Sequence, residues 1–145
     1  MLETIRQQIY LGSFKLNEDK IEFDSALTRS EMLDLGDVVY FMVHKNDVLK
    51  VGKAGGGGGF YSRMGQYKRG LGADCTNDKI IKTMKENNIK SVDIYAIVAP
   101  RNVHNTTCIK GDDLIIETPT NVGLEKYYLK LLKEKYSLAF CQQLS

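Results

Sequence analysis

The chain carries Val38-Val39-Tyr40-Phe41-Met42-Val43 and, after a short interval, Val48-Leu49-Lys50-Val51, and these two runs decide the fold. β-Branched and aromatic residues dominate both runs, and such residues favour strands over helices. The interval Lys45-Asn46-Asp47 is polar and typical of a turn. The pattern therefore predicts a β-hairpin.

The length of the hairpin loop determines which side chains share a face of the hairpin, because side chains alternate along a strand. A two-residue loop would separate Tyr40 from Lys50. An odd loop, Lys45–Asp47, would pair Met42 with Lys50 and Tyr40 with Gly52. We predict the odd loop, which makes Tyr40 and Lys50 diagonal neighbours on one face.

The segment ahead of the hairpin is acidic and has its own periodicity. Apolar residues alternate with polar ones over 9–11 and again over 21–23, on either side of the turn-like residues 17–19, which predicts two short strands. Thr28-Arg29-Ser30-Glu31 fits a capping box. In this motif the side chain of the first residue accepts a hydrogen bond from the backbone amide of the fourth, and the side chain of the fourth accepts one from the amide of the first. We expect a short helix from this box to Gly36.

Behind the hairpin, helical and strand periodicities alternate. Five glycines, 55–59, lead into a helix in which Phe60, Met64 and Tyr67 recur at helical spacing. The remaining pattern predicts, in order, a helix over 78–87 capped by Asn77, a strand over 92–98, a polar loop over 100–113 and a helix from about 119 to 136.

These elements predict one α/β (α+β) domain with a three-stranded antiparallel sheet flanked by helices. Residues 37–145 would form this domain, and residues 1–36 an N-terminal extension packed on its core. The length of 145 residues is sufficient for one such core without disulfide or metal support.

Composition indicates a soluble cytoplasmic protein. Hydrophobic residues make up 43% and charged residues 26% of the chain, which is ordinary for globular proteins. No apolar run has the length of a membrane helix, and residues 1–6 do not resemble a signal peptide. The three cysteines are distant from one another and odd in number, so we expect reduced thiols rather than a disulfide framework.

Charge is unevenly distributed along the chain. Residues 1–44 carry four Lys/Arg against eight Asp/Glu, residues 45–90 carry ten against four, and residues 91–145 carry six against six. The middle segment thus has a net charge of +6, from ten minus four. Such a segment suits a polyanionic partner, but solvated helix faces would account for it equally well.

Four side chains in the chain could together hydrolyse a phosphodiester. Tyr40 could accept a proton from water if the ammonium of Lys50 favours the phenolate, and Lys50 could be the acceptor itself when desolvated. The guanidinium of Arg63 suits the negative charge that develops on the phosphate oxygens. Glu125, beside the apolar stripe of the last helix, could hold one hydrated magnesium ion.

At these residues the sequence resembles the GIY-YIG nuclease family. Val38-Val39-Tyr40 stands where the family has Gly-Ile-Tyr, and Lys50-Val51-Gly52 stands where it has Tyr-Ile-Gly. Arg63, followed by Tyr67 four residues on, is similar to the family's catalytic helix, and Glu125 to its metal-binding glutamate. Lysine in place of the second tyrosine resembles a restriction-enzyme branch. The asparagine usual near the family's C-terminus has no evident counterpart.

The resemblance implies a magnesium- or manganese-dependent endonuclease that cuts double-stranded DNA, with Tyr40, Lys50, Arg63, Tyr67 and Glu125 in the catalytic site. Further residues would contact the nucleic acid: Lys53, Gly56, Lys68 and Arg69. By analogy alone, two copies could act together as a homodimer.

Two other functions stay open at this stage. A nuclease-like module could grip nucleic acid without cutting it, and a protein-binding inhibitor would have no affinity for DNA. A nucleotide-binding loop is disfavoured, because no lysine follows the glycine run in the required pattern.

Overall fold

The computed structural model describes residues 1–55, 59–69, 76–107, 111 and 113–140, with the backbone alone at 66–69, 76–77, 101–107, 113–114 and 116–119. The helices are α1 (Leu2–Arg6), α2 (Arg29–Leu33), α3 (Gly59–Arg69), α4 (Thr76–Glu86) and α5 (Asn121–Leu132). The strands are β1 (Ile9–Asn17), β2 (Lys20–Ser25), β3 (Val38–His44), β4 (Asp47–Ala54), β5 (Ser91–Val98), β6 (Arg101–Thr107) and β7 (Asp113–Pro119).

The main sheet has five antiparallel strands in the order β2-β1-β5-β3-β4, so the prediction of three strands was wrong. The two additional strands come from the acidic N-terminal segment. Strand β1 pairs with β5, with Phe14 opposite Val92, and both side chains are buried. Burial of these apolar side chains on the shared sheet stabilises the pairing. The sheet ends at β4, which is an edge strand.

The β3–β4 hairpin has the predicted register but not the predicted loop. Tyr40 pairs with Gly52 and Met42 with Lys50, as expected. The turn itself contains two residues, Lys45 and Asn46, because His44 pairs with Asp47; Lys45 adopts a left-handed φ of 52°. A register shift next to Met42 leaves one extra residue on β4, and this bulge restores the alternation that the odd loop was expected to supply.

Helices cover both faces of the sheet. Successive side chains of β3 point to opposite faces and therefore belong to two separate hydrophobic cores. Val38, Tyr40 and Met42 point into a core formed with α2, α3 and α4, which we call the front core. Val39, Phe41 and Val43 point into a second core formed with α1 and α5, which we call the back core.

The predicted helices lie close to their expected positions. Thr28 caps α2 through the complete capping box: its Oγ1 accepts from the Glu31 amide and Glu31 Oε1 accepts from the Thr28 amide, each at 3.1 Å. The helix ends at Leu33, short of the predicted Gly36. Helix α4 begins at Thr76, so Asn77 lies within the helix rather than capping it. None of the helices in the described ranges could span a membrane.

Strands β6 and β7 form a second antiparallel pair, where a polar loop over 100–113 was predicted. Strands β6 and β7 pair antiparallel, with Arg101 opposite Pro119 and Thr107 opposite Asp113, in a separate two-stranded sheet. Polarity misled the prediction, because cross-strand backbone hydrogen bonds can hold a polar strand when its partner, here Leu114-Ile115-Ile116, is rich in strand-favouring residues.

The segment after α5, residues 133–140, is hydrogen-bonded to the start of β4. Asp47 accepts hydrogen bonds from the amide and hydroxyl of Ser137. The amides of Leu138 and Phe140 donate to the carbonyls of Val48 and Leu49. Leu138 enters the back core and Phe140 the front core, so this segment crosses the sheet edge and fills both cores.

Replacing Phe140 with alanine is therefore expected to destabilise the protein by about 3–5 kcal/mol, because a fully buried ring leaves a cavity. Urea unfolding followed by circular dichroism would measure this change. Lys135→Ala, an exposed position in the same segment, is the control and should cost less than about 0.5 kcal/mol. Equal midpoints for the two variants would show that the segment does not contribute to the core.

Candidate active site

Tyr40 lies in the middle of β3 with its ring against β4. The side chain is completely buried. A Cβ built on Gly52 would lie 2.3 Å from Tyr40 Cζ and 2.4 Å from its hydroxyl oxygen. The phenol thus crosses the front face of the sheet toward the edge strand, and the missing side chain at Gly52 provides the room for it.

Arg63, on the second turn of α3, reaches the same phenol. Its Nε donates a hydrogen bond to the Tyr40 hydroxyl at 3.4 Å. Phe60, one turn earlier, packs edge-on against the Tyr40 ring with centroids 5.9 Å apart, and Met64 is buried beside it in the front core. The apolar side of α3 therefore fixes the helix on the sheet, and Arg63 on this helix is half-buried.

Lys50 shares this face. It pairs with Met42 and is diagonal to Tyr40 across the hairpin, and only 9% of its surface is exposed. Two cationic groups, the ammonium and the Arg63 guanidinium, thus lie on the front face near one phenol. Positive charge of this kind favours an anionic ligand such as a phosphate.

Glu125 lies on α5, and α5 packs on the other face of the sheet. Tyr128, three residues further along the helix, contacts Phe41 with ring centroids 5.2 Å apart, in the back core. Glu125 is half-buried, on the helix side that also carries Asn121 and Leu132. The helix bearing the predicted metal ligand thus packs on the face of the sheet opposite to the Tyr40 ring, and β4 is the edge strand of that sheet.

The register of α5 on β4 determines the level of Glu125 along that edge. The Asn121 amide group, Nδ2, donates to the carbonyl of Ala54 at 3.3 Å, and Ser137 bonds Asp47 at the other end of β4. The helix therefore runs antiparallel to the strand. At ideal spacing, four helical residues advance about 6 Å and two strand residues about 7 Å, so we expect Glu125 near the level of Gly52.

Two polar residues that the sequence did not single out, Asp37 and Asn121, meet at Gly55, at the end of β4. Asp37 and Asn121 are each only 5% exposed. A Cβ on Gly55 would lie 2.1 Å from Asp37 Oδ1 and 3.2 Å from Asn121 Nδ2. No local pattern marks them, because one precedes a strand and the other opens a helix. Their proximity arises only from the tertiary fold.

The remaining predicted site residues are distributed as follows. Lys53 is exposed on β4 and pairs with Val39, so it lies on the back face, away from Tyr40. Tyr67, Lys68 and Arg69 lie on the last turns of α3, and their side chains are outside what the structure describes. Gly56 is also outside the described residues.

No group of three His, Cys, Asp or Glu side chains with a metal-site arrangement occurs among the described side chains. The three cysteines, Cys75, Cys108 and Cys141, lie outside the described residues.

Three groups of the described part of the chain with shifted pKa values, Tyr10, Lys15 and Asp19, lie on the N-terminal hairpin. Burial, together with the nearby Asp93 carboxylate, raises the pKa of Tyr10. The ion pair with Lys85 lowers the pKa of Asp19, and this pair ties the β1–β2 turn to α4. The hydrogen bond to Asp24 raises the pKa of Lys15 on the outer strands. These shifts belong to the N-terminal hairpin.

Comparison with known proteins gives structural neighbours only. No protein-family model and no curated protein sequence matches the chain. The chain is similar to the structure of a point mutant of endonuclease II (EndoII) from bacteriophage T4, with a TM-score of 0.58 and 17% identity over 91% of this chain and 92% of that one. It is also similar to the restriction endonuclease Hpy188I in complex with product DNA, with a TM-score of 0.55 and 19% identity over 98% of this chain and 84% of that one. At these identities the likeness concerns the fold: the chain has a fold like that of these two endonucleases.

Proposed function

We propose that this chain is a magnesium-dependent endonuclease that hydrolyses phosphodiester bonds of double-stranded DNA. The observation that carries the proposal is the contact between Arg63 and the Tyr40 hydroxyl above Gly52. The likeness of the whole fold to two endonucleases, one of them bound to DNA, supports it.

The front-face residues supply the chemistry that a phosphodiester needs. Arg63 binds the non-bridging oxygens and stabilises the charge that they gain as water attacks. Tyr40 takes the proton of the attacking water, and Lys50 lies diagonal to it on the same face of the hairpin. Since Arg63 is half-buried and Tyr40 fully buried, a phosphate from solvent meets the guanidinium before it meets the phenol.

A magnesium site at Glu125 fits the residues present. In proteins that act on phosphates, Mg²⁺ commonly keeps several waters and is held by one or two carboxylates together with the substrate phosphate, so a single half-buried carboxylate is a suitable protein ligand. When bound, the ion would neutralise charge on the phosphate and leaving oxygen. Manganese would serve in the same way.

A nuclease-like module that binds DNA without cutting it is the second candidate. The complete burial of Tyr40 favours it, because a general base must reach water. A cytoplasmic location and a homodimer that cuts both strands are further parts of our proposal. They rest on composition and on analogy respectively.

Incubation of supercoiled plasmid with the protein tests the proposal. We expect nicks in Mg²⁺ and none in EDTA, and we expect Glu125→Gln to lower the nicking rate by at least about 100-fold. Glu134→Gln, an exposed glutamate just after α5, is the matched control and should cut like the unaltered protein. Tight DNA binding with no nicks in either ion condition would favour the binding module instead.

A further inference from the structure

Helix α5 is tied to the sheet by a buried polar cluster of Asp37, Gly55 and Asn121, which we call the β4 junction. The Asn121 Nδ2 donates to the carbonyl of Ala54, the last residue of β4, at 3.3 Å. Both groups are removed from water at this point, so losing one leaves the other without compensation. The bond therefore fixes the first turn of α5 against the end of the strand.

The junction also binds the neighbouring strands. The carbonyl of Asp37 accepts from the Ala99 amide at 2.8 Å, which joins the start of β3 to the end of β5. The Asp37 carboxylate and the Asn121 amide both lie against Gly55, where a Cβ would come within 2.1 Å and 3.2 Å of them. Three strands and one helix consequently meet at a point with no room for an additional side chain.

We infer that Asn121 is a positioning residue that sets the place of the Glu125 carboxylate, an inference that rests on the proposed function. Residues four apart lie on the same side of a helix, and Glu125 is the next residue along that side after Asn121. The side chain of Glu125 leans toward the helix start, because Cα–Cβ bonds tilt that way. Any tilt of the first turn therefore moves the carboxylate along or away from the edge strand.

Contacts at the C-terminal end of α5 would confine this displacement to the first turns of the helix. Leu132 is buried in the back core, and the Ser137 amide donates to Asp47 at 2.8 Å. Loss of the Asn121 bond would thus release the first turns of α5 while these contacts hold the rest. We expect a folded protein with a displaced carboxylate and a weakened metal site.

Manganese affinity of the full chain without DNA tests the inference, measured by water-proton relaxation. Asn121→Ala should weaken Mn²⁺ binding about 10–100-fold, the usual effect of removing a group that orients a metal ligand. In plasmid nicking, the Mg²⁺ concentration for half-maximal rate should rise by a similar factor, while kcat at saturating Mg²⁺ stays within a few-fold. Asn121→Ser, whose shorter hydroxyl cannot reach Ala54, is the second variant in case the alanine protein does not fold.

Thr28→Ala is the control for lost stability. It removes the capping box of α2, far from α5 in sequence, and should lower the thermal midpoint without changing Mn²⁺ affinity. If Asn121→Ala or Asn121→Ser behaves in the same way, the junction is merely structural and the inference is overturned.

Glu125→Gln separates this inference from the proposed function. If it abolishes Mn²⁺ binding while the Asn121 variants do not weaken it, only the inference fails. If Glu125→Gln leaves Mn²⁺ binding unchanged, the metal role of Glu125 fails, and the positioning role of Asn121 fails with it.

Discussion

Replacing Gly52 with alanine is expected to abolish DNA cleavage and to destabilise the protein by about 1–3 kcal/mol. The new methyl group would lie 2.3 Å from Tyr40 Cζ, so the ring must leave its place over the edge strand. Because Arg63 bonds the hydroxyl of that ring, its guanidinium would lose its partner as well. Plasmid nicking and urea unfolding would measure the two losses.

Two controls make the Gly52 result specific. Gly123→Ala, in α5, meets nothing within 4 Å and should leave cleavage unchanged while stabilising the helix by up to about 1 kcal/mol. In a Tyr40→Ala background the stability cost of Gly52→Ala should largely disappear, because the clashing ring is absent. Wild-type cleavage by Gly52→Ala would contradict the placement of the phenol over this glycine.

Replacing Arg63 with alanine is expected to lower the single-turnover cleavage rate by about 10²–10³-fold, the usual loss for one donor to a developing oxyanion. Arg63→Lys should not restore the rate, since an ammonium cannot reproduce the two-pronged geometry of a guanidinium. DNA affinity, measured by fluorescence anisotropy at fixed salt, should fall far less than the rate.

Arg29→Ala is the matched control for Arg63. Arg29 also carries a positive charge on the front side of the protein, but it lies over the ring of Tyr61, 5.1 Å from its centroid. Its removal should change cleavage only a few-fold. Equal rates for the two alanine variants would exclude Arg63 from a specific role and reduce it to part of a general positive surface.

Much of the central hairpin could be predicted from sequence because its determinants are local. The predicted odd loop would place Tyr40 and Lys50 on one face, and the observed register agrees, although a two-residue turn with a bulge in β4 produces it. Helical spacing likewise identified Phe60 and Met64 as the buried side of α3. The spacing of apolar residues alone indicates which side of a helix or strand is buried.

The strand count and the loop predicted over 100–113 were wrong because strand partners are not encoded locally. The N-terminal strands had the correct periodicity, but nothing within 9–25 indicates that β1 pairs with β5, about eighty residues further along the chain. The pairing of β6 with β7 likewise joins a polar run to an apolar one. Such strand pairs depend on contacts that exist only in the folded sheet.

The candidate site was predictable in part for the same reason. The proximity of Tyr40 and Arg63 follows from a hairpin and the helix after it, and the two side chains are hydrogen-bonded in the structure. The face on which α5 packs, and the buried meeting of Asp37 with Asn121 at Gly55, depend on contacts distant in sequence. These two features could therefore not be anticipated.

Nuclear magnetic resonance with substoichiometric Mn²⁺ tests most directly whether carboxylate and phenol serve one phosphate. The paramagnetic ion should broaden the resonances of the Gly52 amide and the Tyr40 ring, and Glu125→Gln should remove this broadening. Broadening confined to the back core, around Phe41 and Tyr128, with the Tyr40 ring unaffected would contradict the account, because the ion would then lie on the wrong side of the sheet.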